Sequence, residues 1–400
     1  MTFISARLDR IKPSPSSMAG QRVRELRTQG RDIIGLTLGE PDFETPENII
    51  ESAVRAMASS ETRYTDVGGT PKLKEAIQHK FLRDNKLDYE LNEIVAGTGA
   101  KQIIFNAFMS TVDAGDEVIV PAPYWVSYPD IVLLAGGKPV LVPCPASAGF
   151  KLLPQHLERA ITPRTKWVVL NSPNNPSGAV YTRDELCQLG EVLLRHPHVW
   201  ILCDDIYEHI LYDHRSFSTL AEVQPNLRAR TLTVNGVSKA YAMTGWRLGF
   251  GAGPVELIKT MVKLQSQSTS NPNSISQAAA IEALVGPQQI VRKRTKIFQE
   301  RRDMLVERLN AIPGLSCEPP EGAFYAYPSC TELLGRKTPQ GTVIESDTDF
   351  AMYLLDTTNV AVLPGSVYGL SPHLRISFAT SMDTLERGCL RLSAACEALF

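Results

Sequence analysis

The 400-residue chain has no cysteines paired as C-x-x-C and no apolar run near the roughly 20 residues that a membrane-spanning helix needs. Its seven cysteines, at 144, 187, 203, 317, 330, 389 and 396, are scattered and odd in number. They read as reduced, mostly buried thiols of a cytoplasmic protein, with no metal centre expected. Charge of one sign is also lacking: 41 Lys and Arg against 43 Asp and Glu leave a formal charge of -2. No general positive field exists to hold a polyanion, so nucleic acid is not an expected partner. Internal repeats and low-complexity tracts are missing too. A dinucleotide fingerprint G-x-G-x-x-G fails twice, with Gln102 replacing the third glycine after Gly97 and Pro254 replacing it after Gly249, which disfavours a nicotinamide-dependent oxidoreductase.

What remains is a globular chain, 43% hydrophobic, long enough for two to three domain equivalents. The first residues, MTFISARLDRIKPSPSS, carry Arg7, Arg10, Lys12 and several serines and faintly resemble a transit peptide. Asp9 and the two prolines favour a surface arm over residues 1–14 instead. From about 47 to 290, short apolar runs alternate with amphipathic stretches, the pattern of a mostly parallel sheet flanked by helices, an α/β fold. Strands are expected at Glu117–Val120, Lys166–Leu170, Val199–Cys203 and Thr231–Val234, and a helix at Arg183–Arg195. Ile290–Leu309 reads as a long exposed helix leading into a smaller α+β domain. That domain's strands are expected near Phe324–Tyr327, Val360–Leu363 and Leu374–Phe378, with a surface loop at Gly335–Asp347.

In open α/β sheets ligands bind beyond the carboxyl ends of the strands. Trp125 follows the first of the four strands, Asn175 the second, Asp204, Asp205 and Tyr207 the third, and Ser238, Lys239 and Arg247 the fourth. Gly97-Thr-Gly-Ala100 precedes a helix and offers free backbone N–H groups to a phosphate. A ring, an amide, a carboxylate, a phenol, a lysine and a phosphate cradle on one edge suit a flat, phosphorylated, cationic heterocycle that bonds to lysine. Pyridoxal 5'-phosphate (PLP) answers that description.

Gly39-Glu-Pro-Asp-Phe43, Asn171-Ser-Pro-Asn-Asn-Pro-Ser-Gly178, Asp204-Asp-Ile-Tyr-Glu-His209, Ser238-Lys-Ala-Tyr-Ala-Met-Thr-Gly-Trp-Arg-Leu-Gly249 and Leu374-Arg-Ile-Ser-Phe-Ala-Thr380 occur in this order. They resemble the class I aminotransferases of fold type I. The chain is most similar to the bacterial aspartate aminotransferases of the rhizobial and thermophile subgroup.

The resemblance implies a large PLP-binding domain at 47–290 and a discontinuous small domain at 15–46 and 291–400. Lys239 would bond covalently to the cofactor and shuttle the substrate proton, and its small, apolar neighbours favour a neutral, nucleophilic amine. Asp204 would pair with the ring nitrogen, with Asp205 structural. Asn175 and Tyr207 would bond the cofactor's phenolate oxygen, and Trp125 would stack on its ring. Ser238, Arg247, Gly99 and Ala100 would take the phosphate, joined by Tyr64 from the other subunit of a homodimer. Arg375 and the Gly39 N–H would hold the substrate α-carboxylate, beside Trp125 and Asn175.

The animal and enteric enzymes read the distal carboxylate with an arginine that is missing from Gln265–Pro272 here, the aligned position lying near Ser266. The subgroup's lysine is present as Lys101, placed for that carboxylate or against the phosphate. The implied reaction is ping-pong transfer of the amino group from L-aspartate to 2-oxoglutarate, under a small domain and a segment around Ile11–Ser17 that close over the substrate. An aromatic or prephenate aminotransferase, or a PLP lyase on this scaffold, is the alternative. A PLP-binding transcription regulator would need a DNA-binding module, for which there is no room.

Overall fold

The computed structural model describes residues 3–400, apart from the side chain of Ser16. Met1 and Thr2 of the expected arm lie outside the described residues. In the rest of it, Ala6–Arg10 forms a short 3-10 turn with no buried residue.

The main sheet has seven strands: β2 (Ile94–Gly97), β3 (Glu117–Ala122), β4 (Lys138–Pro143), β5 (Thr165–Asn171), β6 (Trp200–Asp204), β7 (Thr231–Gly236) and β8 (Gly249–Ala252). Their order is β2-β8-β7-β6-β5-β3-β4. Only β8 runs against its neighbours; the other pairings are parallel. The strands are apolar on both faces because helices cover both. Alternate side chains divide accordingly: Val118, Val120, Trp167 and Val169 join one core, whereas Ile119, Val168, Leu170 and Ile201 join another with Leu186, Leu189 and Leu193. The sheet is mixed and mostly parallel, flanked by helices, as the α/β pattern predicts.

Five helices matter most for the site. They are α1 (Pro15–Thr28), α2 (Glu47–Ala58), α3 (Pro71–Asn85), α4 (Ala100–Thr111) and α5 (Ser127–Ala135). A separate core collects Phe298, Leu305, Leu309, Phe324, Phe350, Leu385 and Leu392, and takes in Ile34 and Leu36 from near the amino end. There β1 (Ile34–Gly35) pairs in parallel with β10 (Val360–Ala361). A small antiparallel sheet runs β11 (Leu363–Pro364), β12 (Leu374–Ser377), β9 (Tyr325–Ala326).

Three expectations need correction. The helix at Gln289–Asn310 is not simply exposed, since Arg301 and Arg302 are buried. Arg301 forks onto Asp42 at 2.7 and 2.8 Å, and Arg302 onto Asp213 at 2.6 and 2.8 Å, so part of its charge is internal. The strand expected over Val360–Leu363 divides at Val362, its halves pairing with different sheets. Strands β2, β4 and β8 escape the apolar-run criterion: β2 and β8 are rich in small residues, and β4 is broken by Pro139. The loop at Gly335–Asp347 is found, but it is not all at the surface: Thr338 and Ile344 are buried within it, and its last residue, Asp347, is buried and begins a helix.

Candidate active site

The carboxyl ends of β2, β3, β5, β6 and β7 open on one cavity of about 460 Å³. Trp125, Asn175, Asp204, Tyr207, Ser238 and Lys239 line it from the loops after the strands. Ala100 and Lys101 do so from the start of α4, Arg247 from the turn before β8, Gly39 from the chain after β1, and Arg375 from β12. Two predicted residues stand apart. Gly99 lies beneath the Arg247 side chain, and Tyr64 is 92% exposed and outside the cavity.

Lys239 follows β7 and donates to the Gly39 carbonyl at 2.5 Å. Burial, reinforced by the positive charge of Arg375, lowers its amine to about 8. The neutral form that a nucleophile requires is therefore far more accessible near neutral pH than in an ordinary lysine. Asp204 ends β6 and is 5% exposed. Burial raises its carboxyl to about 6, against the opposing pull of the Tyr128 hydroxyl, which donates to Oδ2 at 2.6 Å. Its other oxygen, Oδ1, is buried without a partner. An orphaned carboxylate oxygen facing a cavity is the acceptor that a protonated ring nitrogen would use.

Arg375 is 2% exposed, and no carboxylate pairs with it among the described residues. It donates to the Thr37 carbonyl at 2.5 Å and to Asn175 Oδ1 at 3.2 Å, leaving Nε unpartnered. A buried guanidinium held only by neutral groups is placed to take an anion. Asn175 is fixed in turn, its N–H donating to Asn171 Oδ1 at 2.9 Å, while the Asn171 amide donates to the Asp204 carbonyl at 2.8 Å. The Tyr207 and Tyr325 hydroxyls meet at 2.7 Å. Burial pushes both phenols up, so both stay protonated donors.

The phosphate cradle depends on close backbone approach. Gly99 caps α4 at φ 85°, a left-handed conformation that suits glycine. A Cβ there would strike the Arg247 guanidinium, and one at Gly249 would strike the Ala100 backbone nitrogen. Arg247 itself sits at φ 53° and is steadied by the Thr244 carbonyl at 2.8 Å. Lys101 holds its ammonium 4.9 Å from the centre of the Trp125 ring. Partial burial lowers its amine, and Arg247 lowers it further.

Sequence reasoning missed Tyr128, Tyr325, Thr37 and Asn171. Tyr128 could have been found, since it follows Trp125 by three residues on the first turn of α5 and so shares its edge of the sheet. Tyr325 and Thr37 come from distant segments and carry no local signal. Asp205 is buried behind the site, where burial pushes its carboxyl well up. Ser266 ends a helix, bonds the Lys263 carbonyl at 2.7 Å and does not line the cavity.

A depressed amine, an orphaned carboxylate oxygen and a glycine-built anion cradle in one cavity fit PLP. The comparisons agree. The family profile "Aminotransferase class I and II" matches residues 31–392. An aspartate aminotransferase of Rhizobium meliloti strain 1021 is 56% identical over 395 residues, 99% of this chain and 96% of that one. An aspartate/prephenate aminotransferase of Cereibacter sphaeroides is 54% identical over 399 residues, covering both chains fully. Among solved structures, the aspartate aminotransferase of Rhizobium meliloti superposes with a TM-score of 0.98 at 55% identity over the full length of both. That of Thermus thermophilus with maleate gives 0.92 at 41% identity, over 99% of this chain and 100% of the other. With site chemistry, fold and full-length similarity in accord, the chain belongs to the class I and II aminotransferases, enzymes that use PLP.

Proposed function

We propose that this aminotransferase acts on L-aspartate and 2-oxoglutarate, giving oxaloacetate and L-glutamate, in the cytoplasm and as a homodimer. Its relatives' names supply the substrate class. The observation that carries the reading to this chain is Lys101, whose ammonium stands in the cavity over Trp125 with no acidic partner among the described residues. A distal carboxylate would supply one.

Bound PLP supplies an electron sink for the pair released when the substrate Cα–H bond breaks. Asp204 would hold the ring nitrogen's proton through its unpartnered Oδ1, with the Tyr128 hydroxyl favouring the ionised carboxylate. Trp125 would stack on the ring, and Asn175 and Tyr207 would donate to its phenolate oxygen. Ser238, Arg247 and the N–H groups at Gly99 and Ala100 would hold the phosphate. Arg375 grips the substrate α-carboxylate as a fork, helped by the Gly39 N–H, so that the Cα–H bond faces Lys239. Lys239 would take the proton from the substrate Cα and hold it for return.

Tyr64, exposed beside α2, completes the phosphate site of a second copy. An exposed apolar stripe on α2, Ile50, Val54 and Met57, supports an interface there. The 15–46 and 291–400 segments share one core and act as the small domain that closes over substrate, with residues 47–290 as the large domain.

A half-reaction screen of amino acids, followed by absorbance of the PLP-loaded enzyme, tests the reading. Aspartate and glutamate should react fastest; a faster aromatic amino acid would instead favour the aspartate/prephenate type of the Cereibacter sphaeroides relative. Lys101→Ser should cost activity on aspartate far more than on phenylalanine, and equal losses would show that Lys101 does not read the side chain. Arg375→Lys should raise KM for both.

A further inference from the structure

One wall of the cavity belongs to α1, and that wall carries a charge with no role in the reaction as proposed. Ser17, Gly20 and Arg24 line the cavity. Their spacing of three and four residues places them on one face of the helix. Helical side chains lean toward the N-terminus, so Arg24 covers the turn that holds Gly20. A Cβ at Gly20 would have Arg24 Nη1 as its nearest neighbour at 3.6 Å. The missing side chain at 20 leaves the guanidinium a path along the helix into the cavity. Val23 and Leu26 fix the helix by packing with Ile33 and Ala361.

The arginines of α1 differ in company. Arg22 pairs with Glu25 at 3.6 Å, and Arg27 donates to the Ile33 carbonyl at 2.8 Å. Among the described residues, neither a hydrogen bond nor an ion pair engages the Arg24 guanidinium. The cavity's own carboxylates do not supply a partner: Asp204 is bound by Tyr128, and Glu40 accepts from the Thr244 hydroxyl at 2.9 Å. With Arg247 at the phosphate cradle, Arg375 at the α-carboxylate and Lys239 at the reacting centre, two cations of the cavity lining remain, Lys101 on α4 and Arg24 on α1.

A carboxylate offers about four lone-pair directions, more than one ammonium fills. A guanidinium takes two of them as a fork. We propose that Arg24 is a specificity-determining residue that binds the distal carboxylate of dicarboxylic substrates together with Lys101. The inference rests on the dicarboxylate reading of the site. It assigns to α1 a direct part in recognition.

The test compares PLP-loaded wild type with Arg24→Gln, a substitution on an exposed position that leaves the core untouched. KM and kcat are measured for aspartate and phenylalanine. Calorimetry then gives Kd for succinate and for butyrate, unreactive acids of equal length that differ by the distal carboxylate. KM for aspartate and Kd for succinate should rise about tenfold or more. The phenylalanine and butyrate values should stay within about twofold, and Arg24→Lys should recover part of the loss. Equal shifts for both pairs, or none for either, would overturn the assignment of Arg24. A wild type that prefers neither aspartate nor succinate would overturn the dicarboxylate reading first, and that result is visible without the variant.

Discussion

Asp204 and Glu208 belong to one short segment at the end of β6, yet these two buried carboxylates keep different company. Asp204 faces the cavity with one oxygen bound by Tyr128 and the other free. Glu208 faces α3, where Lys80, fully buried, forms an ion pair with it. Asn85 links the two, accepting from the Lys80 ammonium at 2.6 Å and donating to Glu208 Oε2 at 2.7 Å. His209 Nε2 adds a contact to Glu208 at 3.2 Å. Burial raises both carboxyls, but Lys80, His209 and Asn85 together more than offset it at Glu208, which is held below its ordinary value, whereas Asp204 stays raised to about 6. Lys80 compensates the Glu208 charge inside the scaffold, whereas the unpartnered Oδ1 belongs to a residue that lines the cavity, where a ligand can reach it.

The same contrast separates two lysines, the half-buried Lys239 and the fully buried Lys80, and exchanging them in thought gives the two largest expected effects. Lys239→Ala removes an amine that burial already depresses, so the fold should tolerate it, while turnover falls by roughly 10²–10⁴ or more. Initial rates, with borohydride reduction followed by mass measurement, would check this; activity within tenfold of wild type, or label fixed elsewhere, would place the reacting amine on another residue. Lys80→Met does the reverse. It strands Glu208 without its counter-ion and should cost about 3–5 kcal/mol of stability. Pairing it with Glu208→Leu should recover most of that in urea unfolding, because burying no charge is cheaper than burying one. A double variant as unstable as the single would mean that the pair does more than neutralise itself.

Why the front of the segment was legible in the sequence and its back was not follows from how each is built. The site residues stand directly after strands, and strands announce themselves by short apolar runs, so Trp125, Asn175, Asp204 and Lys239 could be placed on one edge before any coordinates. The rear cluster joins residues 80, 85 and 208, which no period connects, and Lys80 on α3 looks in sequence like any surface lysine. Arg301 and Arg302 misled for the same reason: a charged helix reads as solvated until Asp42 and Asp213 are known to lie opposite. Strand β8 was invisible because its glycines serve close approach to α4 rather than a hydrophobic face. Packing between segments far apart in the chain is what periodicity leaves out.

The smallest effect sharpens the comparison at Asp204 itself. Tyr128→Phe keeps the ring, and with it the edge-on contact to Trp125 at 5.2 Å, but removes the donor to Oδ2. A hydrogen bond to a charged group is worth about 1.5–3 kcal/mol, so the carboxyl of Asp204 should move further up. In the wild-type apoprotein this group binds its proton more tightly folded than unfolded. Its contribution to stability is therefore full below the unfolded value of 3.8 and is lost as pH rises through about 6. In the variant that loss should move to higher pH, which melting temperatures of the apoprotein between pH 4 and 8 would display. PLP affinity should weaken most on the acid side, where Asp204 can no longer offer a charge to the ring nitrogen. If both profiles match wild type, Tyr128 only fills space, and the ionisation of Asp204 depends on the cofactor alone.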